Sequence, residues 1–335
     1  MTRVLLAGDH FVTSDLLRKA LNTAGDIESL DLREIELDWP VVPFGRVDDV
    51  DEASGNPSEL IAALEGVEVL ITQMGAVTEE VIRASPDLRL IVVCRGGPVN
   101  VNLPVAAEHG ISVCTTPGRN ATAAAEHTVA LMLAAMRQIP ALHNSVIGGE
   151  WRSDLYSLHE VGMELDGSTV GLVGLGEIGK RVAHILTAFG SRVRAYDPYS
   201  TDPSVELVSL QDLITQSDII SLHARATPET NGIIGSEQIS AMRQGAVLVN
   251  TARGALLDYD AVASGLINGH LGAAAFDVFE EEPIPSGSKI LSAPRTVLTP
   301  HLAGATRQTA ERAATMAAQA VNAYLTDSEL PWVQQ

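Results

Sequence analysis

Basic residues are scarce in this sequence. Its 335 residues carry 22 Lys and Arg against 42 Asp and Glu, a formal net charge of −20 at pH 7. A surface of that sign repels nucleic acid and anionic membranes, so neither is expected as a partner. An anionic substrate would need arginines of its own. Cysteine is scarcer still: Cys94 and Cys114 alone. Both close apolar runs, "LRLIVVC" and "GISVC", that read as buried strands, so a disulfide framework is not expected. Aromatics make up only 4% of the chain. Ala, Val, Leu, Ile and Gly must fill the core, a composition suited to helices on a parallel sheet. No apolar run reaches the ~20 residues that span a bilayer. The leading "MTRVLLAG" has one basic residue and a short apolar run, unlike a secretory signal. These absences point to a cytoplasmic protein. The histidines show no ligand spacing such as His-Glu-x-x-His, so no metal is expected.

What is present is alternation. In the first part, apolar runs at 3–7, 67–72, 89–94 and 111–114 are separated by helical patterns at 14–24, 57–65, 78–85 and 104–109. Continuous apolar runs between helices indicate a parallel sheet covered on both faces. The tip after the first run, "AGDHFVTSD", has one glycine and is not built for a pyrophosphate. Residues 118–140, "GRNATAAAEHTVALMLAAMRQIP", predict one helix of about 20 residues from near Asn120 to Pro140. It is apolar nearly all round and should be buried, against a second subunit if not its own. The second part predicts strands near 169–174, 192–196, 218–222, 246–250, 272–276 and 296–299, with helices at 177–189, 209–216, 236–242 and 258–267. A last helix, 306–325, has no strand after it and must pack on something already built. The fold class is thus α/β with two doubly wound parallel-sheet domains.

The stretch "TVGLVGLGEIGKRVAHILTAFGSRVRAYDP" carries Gly174, Gly176 and Gly179 as Gly-x-Gly-x-x-Gly, after a Val/Leu strand and at the start of a helix. The first glycine permits the tight turn, the second close approach of a pyrophosphate, and the third helix-on-strand packing. The helix start, at Glu177 and Ile178, offers N–H groups and positive dipole. Asp197, 18 residues past Gly179, ends the next strand where a carboxylate would meet the adenosine ribose hydroxyls. Its charge disfavours a 2′-phosphate, so NAD is expected over NADP. The same residues mimic a P-loop, Gly174-x-x-x-x-Gly179-Lys180, but Arg181 stands where that motif needs Ser or Thr.

Each later strand ends in something polar: Thr251-Ala252-Arg253 after "GAVLVN", Asp277 through Glu282-Pro283 after "LGAAAF", and Pro300-His301 after "RTVLT". An arginine, a carboxylate and a histidine beside a nicotinamide site form the set that hydride transfer on a 2-oxo acid requires. The arginine binds the carboxylate or polarises the ketone, the histidine moves the hydroxyl proton, and the carboxylate orients the ring and favours its charged form.

These stretches, with "GLGEIGKRVA", "LHARATPETNGIIG", "LVNTARGALLD", "AAFDVFEEEP" and "LTPHLAG", resemble the D-isomer-specific 2-hydroxyacid dehydrogenases, the family of glyoxylate/hydroxypyruvate reductases and phosphoglycerate dehydrogenases. The resemblance runs over about 250 residues in order. It implies catalytic roles for Arg253, Glu282 and His301. It places His223, Thr251, Ala252, Asp277 (against the nicotinamide carboxamide) and Gly304 along the cofactor. It implies a Rossmann NAD domain, 117–302, inserted into a flavodoxin-like substrate domain, 1–116 and 303–335, with substrate in the cleft between them and a homodimer as the assembly. The loop expected to cradle the substrate carboxylate is "CRGGPVNVN", with Arg95, Gly96 and Gly97, facing Met74 and Gly75 of "TQMGAV". Here the sequence departs from the family, which has two more residues, a Gly-x-Gly and an acid at the place of Asn102. Arg95 either reaches a second anionic group or pairs on the surface. Ending at 335, the chain is expected to lack the regulatory domain of some phosphoglycerate dehydrogenases. The activity implied is interconversion of a small anionic 2-oxo acid and its D-2-hydroxy acid. An NAD(H)-binding sensor of corepressor type and a formate- or phosphite-type dehydrogenase are the alternatives on the same fold.

Overall fold

The computed structural model describes residues 1–25, 30–40 and 45–334. It divides into two compact units, Met1–Arg119 with Ala305–Gln335, and Asn120–Gly304. In chain order the first unit opens with β1 (Thr2–Gly8), α1 (Ser14–Ala24), β2 (Leu30–Glu36), α2 (Pro57–Ala63), β3 (Val69–Thr72), α3 (Glu79–Ala84), β4 (Leu90–Val93), α4 (Leu103–Glu108) and β5 (Ser112–Cys114). The second unit holds α5 (Ala121–Met136), α6 (Ile139–Ile147), β6 (Thr169–Val173), α7 (Glu177–Ala188), β7 (Arg192–Tyr196), β8 (Glu206–Leu207), α8 (Leu210–Gln216), β9 (Ile219–Leu222), α9 (Ser236–Ala241), β10 (Ala246–Asn250), α10 (Tyr259–Ile267), β11 (Leu271–Phe276) and β12 (Thr296–Leu298). The chain then returns to the first unit with α11 (Arg307–Leu325) and β13 (Val333–Gln334).

The first unit's sheet runs β13-β5-β4-β3-β1-β2. Its five leading strands are parallel in the flavodoxin-like order 2-1-3-4-5, reversing between β1 and β3. β13 adds an antiparallel edge against β5. Thr13 caps α1 through its side chain, and Thr306 caps α11 likewise. The last helix finds its partner here: Ala310, Ala313, Ala314, Ala317 and Val321 share a core with Leu17 and Leu21 of α1 and with Val4, Leu6 and Val92 of the sheet. Its alanine stripe lets it lie close to that face. Leu60, Val81, Ile82 and Val105 of α2–α4 cover the other face.

The second unit's sheet, β12-β11-β10-β9-β6-β7-β8, is parallel throughout and is a Rossmann sheet, reversing between β6 and β9. Leu213, Ile239, Val262 and Leu266 of α8–α10 pack on one face. Met132, Val182 and Leu186 of α5 and α7 pack on the other. Burying each such side chain is worth about 1.5–3 kcal/mol.

One expected element differs. Residues 118–140 are not a single helix: α5 stops at Met136, Gln138 takes a left-handed turn (φ 50), and Pro140 sits in the first turn of α6. Proline costs a helix nothing at its start, where its missing N–H has no partner, so it opens the second helix where it was expected to end the first. α5 is buried as expected; α6 has no buried residue.

Candidate active site

The dinucleotide turn lies between β6 and α7, beside the strand-order reversal where doubly wound sheets take ligands. Gly174 has φ +99, and a Cβ there would lie 2.7 Å from the backbone of His223 and Ala224. A Cβ on Gly179 would lie 2.4 Å from the Gly174 carbonyl oxygen. Neither position admits a side chain. At Gly176 a Cβ would meet nothing within 4 Å, and no side chain caps α7. The helix N-terminus is therefore available to an outside anion. Glu177 pairs with Arg181 at 2.8 Å, and Ile178 packs against the core beneath α7.

Asp197 follows β7. Its Oδ2 accepts from Leu175 N at 2.7 Å and its Oδ1 from Tyr199 N at 2.9 Å. The carboxylate is thereby fixed at a cavity of ≈ 560 Å³ shared with Leu175, Lys180, Tyr199, Ser200 and Asp202. Lys180 pairs with Asp202 there at 3.3 Å. Past β9, His223 Nε2 meets Ser221 Oγ at 2.9 Å, and burial lowers its pKa from 6.5 to about 4, so the ring is neutral.

At the end of β10, the fully buried Asn250 folds the next turn. Its Oδ1 accepts from Ala252 N at 3.0 Å and its Nδ2 donates to Arg253 O at 2.9 Å. Thr251 is buried, its hydroxyl 2.6 Å from that of Thr128. Arg253 is exposed, with Nη1 donating to Ala252 O at 2.7 Å. A Cβ on Gly254 would sit 1.9 Å from Phe279 O, so this turn lies backbone-to-backbone against the loop after β11.

That loop carries Asp277 and Glu282. Asp277 is wholly buried. It accepts from Thr299 Oγ1 at 2.6 Å, Leu302 N at 2.9 Å and Ala303 N at 2.7 Å, with His127 Nε2 3.5 Å away. Burial opposes its charge, and the bonds from His127, Thr299, Ala303 and Leu302 outweigh it, holding the pKa below the usual carboxylate range. The oxygens of Asp277, expected near the nicotinamide, brace the turn 299–303. That clamp holds His301 at φ 54, its N–H donating to Asp277 O at 2.8 Å. His301 Nδ1 lies 2.8 Å from Glu282 Oε2, and Glu282 Oε1 accepts from Phe279 N at 2.9 Å. A carboxylate only accepts, so Nδ1 carries the hydrogen of that bond. Gly304 ends the turn against Asn120, whose Nδ2 a Cβ would approach to 2.7 Å.

In the first unit the substrate residues fare unevenly. Gly96 and Gly97 are exposed, with nothing within 4 Å of an added Cβ. Met74 is fully buried, so its side chain is core. The Gly75 N–H donates to Thr72 Oγ1 at 2.9 Å and so is engaged inside the fold. Arg95 Nη1 donates to Glu52 O at 2.9 Å and its Nη2 pairs with the Glu52 carboxylate, mostly buried. Asn102 caps α4, accepting from Val105 N at 3.1 Å, which gives the residue at the family's acid position a structural duty. The thiols of Cys94 and Cys114 are unpaired in disulfides and buried; burial pushes their pKa up to about 12 and about 11, so neither is a ready nucleophile. The sequence reading passed over Asn250, His127 and Thr299. Each is a polar residue in or after an apolar run, with other polar residues beside it, a signal too common to single out.

Residues 129–303 match the family model described as D-isomer specific 2-hydroxyacid dehydrogenase, NAD binding domain. The chain is 38% identical over 279 residues, 82% of its length, to the D-3-phosphoglycerate dehydrogenase of Mycobacterium bovis. It spans about half of that relative, 52%. It is 34% identical over 280 residues to the glyoxylate reductase of Korarchaeum cryptofilum, covering 82% of this chain and 84% of that protein. A crystal structure of a protein from Thermus thermophilus matches it with a TM-score of 0.81 at 33% identity over 100% of both chains.

Proposed function

The chain belongs to the D-isomer-specific 2-hydroxyacid dehydrogenase family, and on that premise we propose that it is an NAD(H)-dependent oxidoreductase interconverting a small 2-oxo acid and its D-2-hydroxy acid. The observation that carries this reading is the 2.8 Å pair of His301 Nδ1 and Glu282 Oε2, in the same unit as the glycine turn. The turn fits a dinucleotide because Gly174 and Gly179 admit no side chain and Gly176 leaves α7 uncapped. Asp197 and the acid Asp202 face the cavity beside it, which suits ribose hydroxyls and opposes a 2′-phosphate, so the cofactor is NAD. When bound, NADH supplies the hydride received at C2 of the substrate.

The residues do the rest. Arg253 binds the substrate carboxylate or the ketone oxygen as a fixed fork of donors. His301 delivers a proton from Nε2 to the ketone oxygen, and the Glu282 carboxylate holds the ring by Nδ1 as it does so. Asp277 acts one step back, clamping the turn that aims the ring. In oxidation the same proton returns to Nε2. Formate oxidation has no oxygen-bound proton to exchange in its hydride step, so this pair favours the 2-hydroxy acid. The assembly is a homodimer, supported by the apolar, exposed stretch Ile139, Val146, Ile147, Trp151, Tyr156 and Leu158. Following NADH absorbance with glyoxylate, hydroxypyruvate and pyruvate tests the reading: turnover of at least one is expected, and NADH binding without any turnover would replace it with the sensor.

A further inference from the structure

Two polar residues of α5 reach the turns that carry Arg253 and His301, and the reaction above does not use them. His127 and Thr128 are neighbours on this helix. Beyond them the helix is fixed by its apolar side chains. Val129, Met132, Ala135 and Met136 are buried with Val247 and Val249 of β10, Ala273 and Ala275 of β11, and Val297 of β12. The helix thus rests on the same strands whose ends hold Arg253, Asp277 and His301, and all of these residues belong to one unit. His127 Nε2 lies 3.2 Å from Thr299 Oγ1 and 3.5 Å from Asp277 Oδ1. Thr128 is wholly buried, its hydroxyl oxygen 2.6 Å from that of Thr251.

The direction of each bond follows from the hydrogens available. A carboxylate only accepts, so the one hydroxyl hydrogen of Thr299 goes to Asp277 Oδ1, at 2.6 Å. Thr299 Oγ1 is left to accept from His127, whose Nε2 therefore carries a hydrogen. Likewise the Thr128 hydroxyl donates to Ala124 O at 2.7 Å, so the Thr251 hydroxyl donates to Thr128. Two chains of donors result. One runs from His127 through Thr299 to Asp277, which holds Leu302 N and Ala303 N, the two residues after His301. The other ties Thr251 to α5, while Asn250 holds the same turn through Ala252 N and Arg253 O. A buried donor or acceptor that loses its partner is destabilising, so each turn keeps a fixed place relative to the helix. We propose that His127 and Thr128 are positioning residues: from one helix, His127 aims the proton donor His301 and Thr128 aims Arg253. The inference rests on the dehydrogenase reading for what those two side chains do.

Paired substitutions test it, each variant checked for folding by thermal melting and for NADH affinity by fluorescence. His127→Leu removes the donor and should lower kcat for the best 2-oxo acid about 10- to 100-fold, the loss that a misplaced catalytic group brings. His127→Gln keeps an N–H at that reach and should stay within about threefold of wild type. In a His301→Asn background the group being aimed is gone, and His127→Leu should then change kcat less than about twofold. Thr128→Val should lower kcat/KM about 10-fold, and Thr128→Ser, which keeps the hydroxyl, should restore it. A wild-type kcat in folded His127→Leu, an equal loss in His127→Gln, or a loss undiminished in the His301→Asn background overturns the role of His127. An unchanged kcat/KM in Thr128→Val, or a loss that Thr128→Ser does not restore, overturns that of Thr128. If the wild type binds NADH and reduces no 2-oxo acid, the dehydrogenase reading fails by itself. Hydrogen exchange followed by mass spectrometry then decides the positioning. His127→Leu should speed exchange of the Leu302 and Ala303 amides about 10-fold, and Thr128→Val that of Ala252, with the amides of Val170 to Val173 unchanged. Unchanged exchange at the turns, or equal speeding at both places, overturns it.

Discussion

Two aspartates at strand ends show how position sets a carboxylate's work. Asp277 is wholly buried and accepts from Thr299, Leu302 and Ala303, so it braces the turn that carries His301. Asp197 also accepts from backbone, from Leu175 and Tyr199, yet it faces a cavity. Each is an acid following a β-run, and what separates them in the sequence is the glycine turn 18 residues before Asp197. Asp197→Ala should raise KM for NAD about 10-fold and that for NADP less; equal losses in steady-state assays would contradict a ribose contact. His223 bears on stability. In the fold its ring stays neutral down to about pH 4, whereas unfolded it takes a proton near 6.5. Between these values the unfolded state binds more protons, so stability present above pH 6.5 is lost as pH falls toward 4. Urea midpoints of the wild type should drop across that window more than those of His223→Gln, and parallel profiles would contradict the burial argument.

At the scale of elements, strands with continuous apolar runs were legible, because burial on both faces leaves no polar residue to confuse the pattern. β2, "LDLREIE", was not legible: it is an edge strand, half-buried, with four charged residues that read as loop. β8 and β13, two residues each, fall below any periodicity. The break between α5 and α6 turns on one left-handed residue, Gln138, whose sequence gives no sign of it. The break matters because α6 and the stretch to Leu158 expose Ile147, Trp151, Tyr156 and Leu158 at 72–96%. Covering such a surface is the physical case for a dimer. Sedimentation should give twice the chain mass of 35.4 kDa, and Val146→Glu with Ile147→Glu should give the monomer. A wild-type monomer would contradict the assignment.

For the whole molecule, the family and the two parallel-sheet α/β units were legible because several motifs stand in order along the chain, and the expected pairing of Glu282 with His301 is found at 2.8 Å. The packing of the loops expected to hold the substrate was not legible: Met74 is buried and the Gly75 N–H is bonded to Thr72, neither of which a residue's place after a strand gives away. No helix among the described residues is long and apolar enough to cross a membrane. The account rests on His301 as the proton donor held by Glu282. The most direct test is His301→Asn, with NADH binding followed by fluorescence and turnover of the best 2-oxo acid in the same preparation. The account predicts NADH affinity within about twofold of wild type and kcat lowered about 100- to 10,000-fold; an unchanged kcat would contradict it.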